Sequence, residues 1–202
     1  MKYNFIDIGT SNFNYSIPEL DQSGIYVEPL SIYLNDIPNY KNTVKENVAI
    51  YDRSCYKTIV YLDPNIIDQY GLPSWLKGCN KIDDGIVHPK IKNRCNVHGI
   101  DYKNLIRKQV VKCITLRELF EKYRINQVDC LNIDTEGYDC NIVMQAIDLC
   151  NNGISISKIY FETNFLSDKE KIKETVDCLN DNNWQEVNTS DRNNKIFRKI
   201  EE

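Results

Sequence analysis

The chain has 202 residues, enough for one domain with one core and at most a small appendage, which excludes a large multidomain machine. With 42% hydrophobic and 27% charged residues it can bury enough apolar area to fold, and a net charge of −4 lacks the broad basic footprint of a nucleic-acid binder. No apolar run reaches bilayer length and no signal-peptide pattern opens the chain, so a cytoplasmic protein without membrane or nucleic-acid partners is expected.

The run YNFIDI, Tyr3 to Ile8, has the length and β-branched content of a buried first strand. Gly24 to Pro29 (GIYVEP) reads as a second buried strand ending in an acid, and Ser31 to Ile37 as a brief helix stopped by Pro38. Val44 to Tyr51 and Thr58 to Leu62 follow as strands. From Pro64 to Lys112 glycines and prolines break the periodicity, and this stretch holds Trp75 and both histidines, His88 and His98. Long irregular segments in compact domains tend to be binding loops, so the substrate side is expected there. Lys90, Lys92, Arg94, Lys103, Arg107, Lys108 and Lys112 make it locally basic, as a solvated face or as a seat for a phosphorylated or nucleotide-linked acceptor.

Thr115 can cap a helix over 115–124 with Glu118 at the third position, while Leu116, Leu119 and Phe120 form its apolar stripe. Val128 to Ile133 is then a strand ending in Asp134, Tyr138 to Cys150 a helix, and Lys158 to Phe161 a strand ending in Glu162. Ser167 with Glu170 suggests a second capping box, and Trp184–Val187 with Lys195–Lys199 a closing hairpin. Strands alternating with helices, each strand ending in a polar residue, predict a doubly wound α/β sheet with ligands beyond the strand C-termini. No linker or repeat divides it, so residues 1–202 are expected to form one domain with 64–112 as an irregular insertion. The eight cysteines include no C-x-x-C pair and are read as reduced, mostly buried thiols.

Three constellations at strand ends carry the candidate chemistry. Asp7-Ile8-Gly9-Thr10-Ser11-Asn12 breaks a buried strand into a polar loop in which Gly9 allows close backbone approach to a ligand and Asp7 can anchor the loop or accept from a cationic or amine group. Glu28 stands twenty-one residues after Asp7, the interval at which an acid in dinucleotide folds accepts from both hydroxyls of a ribose diol. Positions 9 to 14 read Gly-Thr-Ser-Asn-Phe-Asn, which serves a pyrophosphate poorly, so an adenosine ligand without phosphates fits better. In Leu131-Asn132-Ile133-Asp134-Thr135-Glu136-Gly137, the carboxylates of Asp134 and Glu136 can take a proton, bind a polar substrate, hold a divalent metal, or receive amides of the next helix N-terminus.

The succession DIGTSN, VEP, VAIYD, ITLRELFEKYRINQVDCLNIDTEG and IYFE resembles the FkbM-type family of S-adenosylmethionine-dependent methyltransferases, from about Phe5 to Arg198. Its most specific block is a T-L-x-x-L helix before D-x-L-x-I-D-x-E-G, matched by Thr115, Leu116, Leu119, Asp129, Leu131 and Ile133 to Gly137. The resemblance implies a Rossmann-like class I methyltransferase fold, with a seven-stranded, mostly parallel sheet and a C-terminal antiparallel hairpin. It implies S-adenosyl-L-methionine as cofactor and methyl transfer to a hydroxyl of a sugar or similar small molecule. Asp7, Gly9, Thr10, Ser11 and Asn12 would lie around the methionine part, Glu28 on the ribose, and Pro29, Asn47, Val48 and Ala49 near the adenine. Asp134 ranks first as base, with His88 and His98 as further candidates. Glu136, Glu162 and Trp75 are assigned to the substrate, and no metal is assigned. The family commonly has a second glycine where this chain has Phe13. The alternatives are accordingly an inactive methyltransferase-like binding module or a metal-dependent transferase using nucleotide sugars. A small-molecule or glycan acceptor is the expected partner, and association into a homo-oligomer is compatible with the sequence.

Overall fold

A computed structural model describes residues 1–9, 11, 15–82, 87–163, 167–189 and 193–200. In chain order it forms strands β1 (Lys2–Ile8) and β2 (Gly24–Val27), helix α1 (Ser31–Leu34), and strands β3 (Thr43–Glu46), β4 (Ala49–Ile50) and β5 (Cys55–Leu62). Helix α2 (Pro64–Gln69), strand β6 (Lys81–Ile82), helix α3 (Pro89–Val97) and strand β7 (Ile106–Ile114) follow. Helix α4 (Leu116–Lys122), strand β8 (Gln127–Ile133), helix α5 (Asp139–Asn151) and strands β9 (Ser155–Ile156) and β10 (Lys158–Glu162) come next. Helix α6 (Lys169–Asp181) and strands β11 (Trp184–Val187) and β12 (Asn194–Lys199) complete the described elements. The chain divides into two compact units, Met1–Cys55 with Cys113–Glu202, and Tyr56–Lys112.

The first unit is built on a mainly parallel sheet ordered β3-β2-β1-β8-β10-β12-β11, with short β9 beside β8. β1 pairs in parallel with β2 and β8, and β8 with β10, while β12 and β11 run antiparallel to their neighbours. The chain therefore builds outward from β1 to β3, then returns to lay β8 on the other flank of β1. Crossovers leave in opposite senses from that point, the topological switch beyond which sheets of this kind hold their ligands. All four residues of β2 are buried, as are Phe5 to Ile8 of β1, the near-continuous apolar run of strands covered on both faces. One core cluster joins Ile6, Ile8, Val27, Leu131 and Ile133 to Leu116, Leu119 and Phe120 of α4 and Ile142, Val143 and Ala146 of α5. Phe5, Tyr26, Leu34 and Ile37 form another. Thr115 and Glu118 cap α4 reciprocally, as their spacing predicts.

Two expectations are corrected in this unit. The stretch 44–51 is two strands: β3 pairs with β2, whereas β4 pairs with the end of β7. The break falls at Asn47, whose side chain bonds backbone carbonyls outside both strands. Helix α6 is capped by Asp168, whose carboxylate accepts from the amides of Glu170 (2.8 Å) and Lys171 (3.4 Å), one residue later than the Ser167 box.

The second unit has its own core of Leu62, Ile67, Leu72, Leu76, Ile91 and Cys95. Expected to be irregular, it instead holds α2 and α3, each started by proline and capped by the preceding side chain, Asp63 or His88. These helices have six and nine residues, too short for a 3.6-residue period to stand out between breakers. A single 3₁₀ turn, Ser74–Gly78, carries Trp75. All eight cysteines are free thiols, and four of them are buried. Among the described residues no helix is long and apolar enough to cross a membrane.

Candidate functional site

At the switch point the backbone ladder continues past the strand ends and brings polar residues out side by side. The Gly9 amide donates to Val27 O (2.8 Å), the Asp134 amide to Ile8 O (2.9 Å), and the Glu28 amide to Glu46 O (3.1 Å). Gly9 takes φ +77°, and a Cβ there would stand 2.1 Å from the Asp134 carbonyl oxygen. Only glycine lets the exits of β1 and β8 approach so closely. Ser11, also at positive φ and 3% exposed, turns its amide onto the Glu28 carboxylate (3.0 Å).

Glu28 is itself 3% exposed and receives a second amide, that of Leu30 (2.9 Å), on its other oxygen. Each oxygen therefore keeps a lone pair for a further donor. Burial pushes the Glu28 carboxyl up to about 7 despite these bonds, and the charge of Asp134 adds to the rise. The Asn47 amide ties down the segment after β2 by donating to the carbonyls of Glu28 and Pro29 (2.9 Å each), while Val48 and Ala49 are buried behind it.

Asp7 takes the loop-anchoring place that its position at the end of β1 offers. Its fully buried carboxylate accepts from the Ser16 amide (2.6 Å), the Ser16 hydroxyl (3.0 Å) and the Asn132 amide group (2.6 Å). It anchors the chain after β1 to β8, and burial raises its pKa.

Beyond β8 the loop from Asp134 to Tyr138 passes through positive φ at Glu136 and Gly137. Its organiser is Asp139, which the sequence reading did not single out. The buried Asp139 carboxylate accepts from the Thr135 amide (3.2 Å) and hydroxyl (3.1 Å) and from the Gly137 amide (3.1 Å). Burial and the charge on Asp134 push it up to about 7. An acid in the first turn of a helix that follows a polar loop was the available signal. Glu28 and Asp139 thus both feel the charge of Asp134, which follows the end of β8. Next to this loop Tyr138 stacks on Tyr51 with centroids 4.8 Å apart, and a cleft of about 670 Å³ runs along α5, lined by Asp52, Asn141, Met144 and Gln145.

The other predicted residues are distributed. Glu162 ends β10, half-buried. His88, His98 and Trp75 belong to the second unit: His88 is buried with Nδ1 accepting from the Lys90 amide (3.1 Å), His98 is the exposed C-cap of α3, and Trp75 is 40% exposed. Thr10, Asn12 and Phe13 lie outside the described residues.

A family model described as the methyltransferase FkbM domain matches residues 4–186. No curated protein and no solved structure gives a significant match.

Proposed function

The chain belongs to the FkbM methyltransferase family, and from that premise we propose that it moves a methyl group from S-adenosyl-L-methionine to a hydroxyl of a sugar or other small molecule. The observation that carries this reading is the acidic group around Gly9, with Glu28 buried at the end of β2 and retaining acceptor capacity on both oxygens. A vicinal diol offers two donors to such a carboxylate, and a cationic sulfonium suits an edge formed by Glu28, Asp134 and Asp139. Gly9 and Ser11, with Asn12 and Thr10 between or beside them in the chain, belong to the methionine side of this reading; Pro29, Asn47, Val48 and Ala49 belong to the adenine side.

When bound, the cofactor supplies a methyl already made electrophilic by its sulfonium. The protein then has two tasks, alignment and removal of the acceptor's proton. Holding the acceptor oxygen in line makes the step effectively unimolecular. Asp134, at the end of β8, receives the proton that the hydroxyl gives up as its oxygen gains the methyl, and a positioned base of this kind is worth about 10²- to 10⁴-fold. Asp134 is preferred to His88, whose Nδ1 is committed to capping α3. Glu136 and Glu162 orient the acceptor.

Calorimetric titration with S-adenosylmethionine and S-adenosylhomocysteine tests the reading. Micromolar binding is expected, weakened about tenfold or more in Glu28→Ala. In Asp134→Asn, turnover should fall by about 10²-fold or more while cofactor affinity stays within a few-fold. Failure of the unaltered protein to bind either compound would leave it a methyltransferase-like binding module.

A further inference from the structure

The cleft along α5 is lined by none of the strand-end acids, and every described residue of its wall belongs to the first unit. Its volume of about 670 Å³ is that of a pocket for a small organic molecule. Part of the wall is aromatic. Tyr51, which follows β4, and Tyr138, which starts α5, lie nearly parallel, with 18° between their planes, and both are half-buried. Burial and the charge of Asp52 push the Tyr138 hydroxyl up to about 12, so at neutral pH it is a hydrogen-bond donor. The exposed Asp52 carboxylate is an acceptor at the same wall. Asn141 adds an amide that can both donate and accept, and Met144, 41% exposed, adds apolar contact. The charges are balanced: Arg117 and Lys171 stand against Asp52 and Asp148, and Arg117 is already bound to Asp148 (2.8 Å).

We propose that this cleft is a binding site for a neutral pyranose unit of a glycan, which, on the methyltransferase reading above, belongs to the molecule that carries the acceptor hydroxyl. A pyranose has apolar C–H faces and a rim of hydroxyls. The faces pack on the tyrosine rings and Met144, a pair of neighbouring hydroxyls donates to Asp52, and Tyr138 and Asn141 donate to ring and hydroxyl oxygens. The loop that starts at Asp134 ends at Tyr138, so the cleft begins in the chain where the strand-end loop stops. A nucleotide or sugar phosphate is disfavoured, because its charge would meet two carboxylates and an arginine that one of them already holds. A wholly apolar ligand is disfavoured too, since it would take Asp52 and Asn141 out of water without a partner.

The chain has two methionines, Met1 and Met144, and of these Met144 alone lines the cleft. Isotope-labelled methionine methyls therefore give one NMR signal at the site and one away from it. The full chain is titrated with the methyl glycosides of glucose, galactose, mannose and N-acetylglucosamine, and with glucose 1-phosphate and cyclohexanol. At least one glycoside is expected to move the Met144 signal saturably at millimolar concentration while Met1 stays in place. Affinity should fall about tenfold or more in Asp52→Ala, and by a smaller factor in Tyr138→Phe, which keeps the ring and loses the donor. The proposal is overturned if no glycoside moves Met144, if Asp52→Ala leaves the affinity unchanged, or if cyclohexanol or glucose 1-phosphate binds more tightly than every glycoside. S-adenosylhomocysteine titrated by calorimetry separates the two readings: its failure to bind faults the methyltransferase reading, while a glycoside that moves Met144 still reports this site. Displacement of the glycoside by S-adenosylhomocysteine would put the cofactor in the cleft and overturn the proposal.

Discussion

Ionising Glu28 and Asp139 opposes folding, because both carboxyls are buried and both feel the charge of Asp134. Their folded pKa values, about 7, lie above those of an unfolded chain, so the native state binds more protons than the unfolded state between the ordinary carboxylate range and neutrality. Stability must then fall as pH rises through that window and level off above about 7, the reverse of an ion-paired carboxylate. Melting temperatures of the ligand-free protein measured across the window should decline, and Glu28→Gln should show a shallower decline. A rise with pH would contradict the assignment. The same groups make cofactor affinity pH-dependent: a sulfonium favours the ionised carboxylates, so S-adenosylmethionine should bind more tightly as pH rises through about 7, whereas S-adenosylhomocysteine, which lacks that charge, should respond less.

At the scale of elements, the site depends on three strands ending in step. The exits of β1 and β8 touch at Gly9, where an added methyl would meet a backbone oxygen that cannot rotate away, in a conformation that L side chains rarely adopt. Gly9→Ala should therefore lower the melting temperature and weaken S-adenosylhomocysteine binding together; loss of neither would mean that the strand ends are freer than this packing implies. The parallel core was legible because buried strands such as β1 and β2 are continuous apolar runs and because Thr115 and Glu118 announce α4. Glu28 and Asp134 were legible as polar residues closing such runs. Asp7 closes one too and was legible as a loop anchor, but its partners Ser16 and Asn132 were not, because the direction of a side chain is set by neighbours that the sequence does not order. Asp139 escaped because its importance lies in three bonds to the preceding loop. The helices α2 and α3 escaped because each is too short to display a 3.6-residue period.

At the scale of the whole chain, each unit has a core cluster of its own, although the sheet β4-β7-β5-β6 takes strands from both. The main core cluster of the first unit draws on no residue between 56 and 112, and the cluster centred on Leu62, Leu76 and Ile91 draws on no residue outside that range. The points where the first unit is interrupted are also held within that unit. The Tyr51 amide donates to Ile114 O (2.8 Å), and Gln145 joins both sides, donating to Tyr51 O (3.1 Å) and accepting from the Leu116 amide (2.9 Å). Gly9, Glu28, Asp134 and Asp139 all belong to this unit. A chain in which residues 56–112 are replaced by a short Gly/Ser linker should unfold cooperatively and bind S-adenosylhomocysteine within a few-fold of the full chain. Circular-dichroism melting and calorimetry check the two halves of that expectation. A shortened chain without a cooperative transition would mean that the second unit lends stability to the first, despite its separate core. A folded chain that no longer binds S-adenosylhomocysteine would mean that the cofactor needs residues beyond the strand-end group.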